Sequence, residues 1–137
     1  MQVKPKEFRY AVGLGADGSV STETGATLVP GADWTAEHLL LAGLVRCSLE
    51  SLRYHLKRAD VQLTAAIGGA SAVVNRRDSD GRYAIVAATV ELSVQLQPQP
   101  APAAVAELLE KTERDCFVGA SLTVKPSYRW IVNGSAR

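Results

Sequence analysis

The sequence predicts an α+β fold, an antiparallel sheet with a long central helix and a second, shorter helix on one side. Three observations carry this. From about Thr35 to Arg58, apolar residues recur at three- and four-residue steps, as one face of a helix requires. Val90, Leu92, Val94 and Leu96 alternate with Thr89, Glu91, Ser93 and Gln95, the two-residue period of a strand with one buried face. Val105, Leu108, Leu109, Thr112 and Cys116 form a second helical stripe.

Taken in order, Phe8 to Leu14 mixes aromatic and branched residues and reads as a strand. Gly15-Ala16-Asp17-Gly18 supplies turn chemistry, and Ser19 to Val29 reads as the returning strand of an opening hairpin. Pro30-Gly31-Ala32-Asp33 closes it, and Asp33 or Thr35 is placed to cap the long helix. Its apolar positions are Leu41, Leu44, Val45, Leu49, Leu52 and Leu56, widened near the start by Leu39 and Leu40. Val61 to Val74 reads as a strand with a bulge or bend at Gly68-Gly69, and 75–81 as a polar hairpin loop. The alternating strand follows, then a Pro-rich break at 98–102 that sets up the second helix. Leu122 to Val132 is the expected final strand.

With 137 residues and no repeat, the chain is expected to form one domain over 1–137. Fifteen Lys+Arg against fourteen Asp+Glu leave no basic excess, so nucleic acid is not an expected partner. The charged N-terminus has no apolar segment behind it, which predicts a cytoplasmic protein without a secretory signal. The longest apolar run, residues 39–45, is far below the roughly 20 residues that span a bilayer, so no membrane association is expected.

The chemistry-bearing residues are Cys47, in the long helix, and Cys116, at the end of the second. Two thiols are too few for a disulfide scaffold, and in a reducing compartment any pairing is expected to be transient. Two readings stand side by side: a redox pair, or two small hydrophobes packed in the core. Arg46 and Arg114 are neighbours in sequence and would favour thiolate if they faced the sulfurs. Gly43, one turn before Cys47, leaves room for close approach. His38 and His55 lack carboxylates or cysteines at ligand spacing, so no metal and no cofactor is expected.

The segment Thr35-Ala36-Glu37-His38-Leu39-Leu40-Leu41-Ala42-Gly43-Leu44-Val45-Arg46-Cys47-Ser48 resembles the helix motif of OsmC/Ohr proteins, in which a Glu precedes the first cysteine by ten positions. Glu113-Arg114-Asp115-Cys116-Phe117-Val118 is similar to the family's second cysteine motif, and 17–25 to its N-terminal hairpin. The resemblance implies an OsmC-like α+β domain and an intertwined homodimer. The apolar breadth of helix 35–58 favours that dimer independently. It further implies a site made of Cys47, Cys116 and Glu37. Cys47 would reduce an organic hydroperoxide, Cys116 would close a disulfide with it, and an external dithiol would reset the pair. Glu37 would hold a cation beside the thiolate.

One departure marks the chain as an atypical member. The family carries an Arg in its hairpin or in the loop before the helix, whereas residues 10–45 hold neither Arg nor Lys and the matching position is Ala16. Thiol-dependent peroxide reduction, slow for want of that cation, is therefore the leading expectation. The alternative is a non-catalytic module that holds a hydrophobic small molecule in the dimer cleft.

Overall fold

The computed structural model describes residues 3–137. The chain forms two compact units, one ending at Ala36 and the other spanning Glu37–Arg137. The first is a three-stranded antiparallel sheet of β1 (Val12–Leu14), β2 (Val20–Thr22) and β3 (Thr27–Leu28), in that order. Asp17 shapes the β1–β2 turn by accepting the Ser19 N–H at 3.0 Å and hydroxyl at 2.6 Å. The run expected to be continuous from Ser19 to Val29 divides into β2 and β3. Gly25, at φ 94°, folds a second turn there, and its N–H donates to the Thr22 carbonyl at 3.1 Å.

The second unit contains α1 (Ala36–Arg58), β4 (Gln62–Arg76), β5 (Tyr83–Gln97), α2 (Pro102–Arg114), the single turn α3 (Phe117–Ala120), β6 (Ser127–Val132) and β7 (Ser135–Ala136). The strand order is β4-β5-β6-β7. Adjacent strands pair antiparallel as predicted, with the exception of β5 and β6, which run parallel. That pairing follows from the connection: α2 and α3 carry the chain back before β6 begins, and only such a crossover can join parallel neighbours. The final strand starts at Ser127 and not at Leu122, since 121–126 are turn and bend.

The β4–β5 ladder is irregular between Leu63 and Ala65 and between Val73 and Val74, and it runs in register through Gly68-Gly69. The two glycines therefore make no bulge. Gly68 is there because a Cβ at that position would collide with the Glu91 carbonyl oxygen across the ladder.

Val90, Leu92, Val94 and Leu96 of β5 are all buried, as their alternation requires. They meet Leu44, Leu52 and Leu56 of α1, Val105, Leu108 and Leu109 of α2, and Trp130 and Val132 of β6 in one core. The buried face of α1 is rotated from the hydrophobic stripe: Ser48, Ser51 and His55 are buried, while Leu41, Val45 and Leu49 are only partly so. Each buried polar group on that face has a partner, which removes the cost of burying it. Ser51 Oγ donates to the Thr112 carbonyl at 2.8 Å, and His55 meets Asp115.

Candidate functional site

Helix α2 ends at Arg114, with Asp115 as its C-cap, and Cys116 is the N-cap of α3. Cys116 thus lies just beyond the helix on which periodicity placed it, in the tight connection between α2 and α3. It is fully buried. The Gly119 N–H donates to Cys116 Sγ at 3.4 Å, and the Val118 N–H donates to Cys47 Sγ at 3.4 Å. Two successive amides of one short turn therefore reach the two sulfurs, and thiols 69 positions apart in the chain become neighbours. Both are free, Cys47 partly exposed and Cys116 enclosed.

Burial pushes the Cys47 thiol above its ordinary pKa, and the adjacent Cys116 adds to that, while the Val118 and Phe117 amides oppose it. The cations that sequence proximity offered turn elsewhere. Arg46 is exposed and pairs with Glu50 at 3.6 Å, and Arg114 forks onto Asp115 through Nε and Nη2 at 2.8 and 2.9 Å. Gly43 faces open space. Glu37 is exposed in the first turn of α1. The helical rise sets it about 15 Å along the axis from Cys47.

Two hydroxyls that sequence reading did not single out complete the surroundings of Cys116. Ser48 Oγ lies 3.7 Å from Cys116 Sγ and 3.0 Å from the Tyr128 hydroxyl, and it donates to the Leu44 carbonyl at 2.8 Å. Tyr128 is stacked on Trp130 with ring centroids 5.8 Å apart, and Trp130 Nε1 donates to Glu113 at 3.1 Å. The signal for Ser48 was present in the sequence, as a polar residue on the Leu44–Leu52 ridge. Tyr128 had none, because only the β5–β6 pairing brings it under α1.

Tyr128 and Gly119 also line a cavity of about 580 Å³, together with Glu113, Arg114 and Lys125. Among the described residues, no group of three His, Cys, Asp or Glu side chains converges to hold a metal ion. No described helix is long and apolar enough to cross a membrane.

A partly exposed and a buried thiol, brought together by a long helix and the turn after a shorter one against a mixed sheet, define an α+β two-thiol domain. The chain belongs to the OsmC-like protein family, whose model matches residues 29–130. No curated protein matches it in sequence.

Solved structures share the fold at low identity. An OsmC-like protein of unknown function from Vibrio cholerae is 11% identical over 82% of each chain, with a TM-score of 0.71. A putative organic hydroperoxide resistance protein from Vibrio cholerae, with captopril in one of its active sites, is 18% identical over 99% of each chain at TM-score 0.65. The organic hydroperoxide resistance protein OhrB of Bacillus subtilis is 17% identical over 91% of this chain and 96% of its own, at TM-score 0.55.

Proposed function

We propose that this protein reduces organic hydroperoxides slowly through a two-cysteine cycle. The observation that carries the reading is the convergence of two free thiols on one turn. Cys47, the more accessible sulfur, attacks the peroxide oxygen as thiolate. The O–O bond breaks, an alcohol leaves after protonation, and Cys47 becomes a sulfenic acid. Cys116 then condenses with it, releasing water and forming the disulfide, which an external dithiol reduces.

Glu37 acts in this scheme by holding a cation supplied from beyond α1, since its own helix keeps it far from the sulfur. The working form is an intertwined homodimer. Leu39, Leu40, Leu41 and Val45 on the first half of α1 are not fully covered, which supports a partner there.

The raised pKa of Cys47 favours one competing reading, a cleft that holds a hydrophobic small molecule without turnover. Stopped-flow consumption of cumene hydroperoxide separates the two. Wild-type protein is expected to consume peroxide measurably and Cys47→Ser not at all. Equal background rates in both would leave the binding module standing.

A further inference from the structure

Cys116 has to lose a proton to act on Cys47, and it has to do so while wholly buried. A buried thiolate has no water around it, so its hydrogen-bond donors must come from the protein. One donor is in place, the Gly119 N–H at 3.4 Å. Ser48 cannot be the second. Its single hydroxyl hydrogen is committed to the Leu44 carbonyl at 2.8 Å, so toward Tyr128 and Cys116 it presents lone pairs only. Ser48 Oγ lies 3.7 Å from Cys116 Sγ and 3.0 Å from the Tyr128 hydroxyl, and while it donates to Leu44 it is free to accept from both.

We propose that Tyr128 is the donor that lets Cys116 ionise, its hydroxyl swinging from Ser48 Oγ to Cys116 Sγ as the sulfur loses its proton. The Tyr128 hydroxyl and Cys116 Sγ flank the same two points, Ser48 Oγ at 3.0 and 3.7 Å and the space above Gly119, where an added Cβ would lie 3.6 and 3.4 Å from them, so the swing is a local one. Burial raises the phenol above its ordinary pKa, so Tyr128 keeps its own proton throughout. The other ionisable groups nearby are Cys47, whose sulfur interacts with Cys116, Glu113, which acts on Tyr128, and Asp115, which precedes Cys116 and is paired with His55 and Arg114. Glu113 is engaged by Trp130.

This assignment rests on the two-cysteine reading and gives Tyr128 its place in the second step. The Cys116 thiolate donates an electron pair to the Cys47 sulfenic sulfur and the S–S bond forms. The S–O bond breaks, and the departing hydroxide takes up a proton to become water, matching the one that Cys116 released.

The test uses the full chain and 5,5′-dithiobis(2-nitrobenzoate), with no peroxide. Cys47 displaces one thionitrobenzoate and becomes a mixed disulfide. Cys116 then attacks the Cys47 sulfur and expels the second, so the two releases time the two thiols separately. In Tyr128→Phe the first release is expected to stay within about twofold of wild type. The second should slow about tenfold at pH 7, its pH midpoint moving up by about one unit, since each unit is tenfold in thiolate.

In Ser48→Ala, Tyr128 has no competing acceptor, and the midpoint should move down. Opposite shifts separate a donor role from general loosening, which would move both variants the same way. Unchanged closure in Tyr128→Phe overturns the assignment. So does an upward shift in Ser48→Ala, or a wild type that releases only one thionitrobenzoate. Peroxide consumption is scored apart: its absence in wild type defeats the peroxidase reading and leaves this exchange measurement to decide the role of Tyr128.

Discussion

His55 Nε2 and Asp115 Oδ2 meet at 2.8 Å, tying the last turn of α1 to the residue that immediately precedes Cys116. The same carboxylate receives the Arg114 fork. Position 115 therefore fixes where α2 stops and where the cysteine turn begins.

The Arg114 hydrogen bond is the main cause holding the Asp115 carboxyl down at about 2, with the His55 bond adding to it. An unfolded Asp titrates near 3.9. A group whose pKa is lower in the folded state stabilises above its unfolded value and loses that contribution as pH falls through its folded value. Wild-type protein should thus melt at a higher temperature than Asp115→Asn at pH 6, and the gap should close between about pH 4 and pH 2. Circular dichroism melts across that range check it; a gap independent of pH would deny the carboxylate this role.

Cys47 reactivity should climb steeply with pH. Its raised pKa means that the thiolate fraction continues to grow beyond the pH at which an ordinary thiol levels off. Rates of iodoacetamide alkylation, followed by mass spectrometry in Cys116→Ser, should reach half-maximum only above about pH 8.5, the ordinary thiol value. A plateau below that pH would mean that a cation reaches the sulfur.

In Cys116→Ser the first turnover with hydroperoxide should survive, leaving a sulfenic acid on Cys47 that dimedone traps at one adduct per chain. Wild type should give little adduct, because the disulfide closes first. Ala16→Arg, which restores the family's cation by resemblance, should raise the peroxide rate. An unchanged rate would show that position 16 does not serve the thiol.

Gly68→Ala should destabilise the β4–β5 ladder. The added methyl has to displace the Glu91 carbonyl, and overpacking of this kind costs about 1–3 kcal/mol. Gly69→Ala, which meets open space, is the control and should melt close to wild type. Similar losses at both positions would point to strand entropy in place of contact.

A homodimer is the expected species in sedimentation equilibrium at micromolar concentration. Leu40→Glu, on the half-exposed start of α1, should shift the mass toward monomer. A wild-type monomer would remove the partner from the scheme.

The sequence by itself determined the long elements α1, β4, β5 and α2 and the identity of the thiols. The division of 19–29 into β2 and β3, and the short α3 and β7, emerged only in the structure. Alternation in β5 and the steps of α1 and α2 reflect local geometry, because a strand repeats every two residues and a helix every 3.6, whatever lies opposite. The motifs around Cys47 and Cys116 were likewise legible, being contiguous. Tertiary structure decided the parallel β5–β6 pairing, which depends on where the crossover returns. It also decided that Ser48, Ser51 and His55 are buried, since polar groups enter a core only where a partner from another element waits: Tyr128, the Thr112 carbonyl and Asp115. Arg46 and Arg114 lie beside the cysteines in sequence yet turn to Glu50 and Asp115, because neighbours on a helix point about 100° apart and a nearby carboxylate is a better partner than a buried thiol.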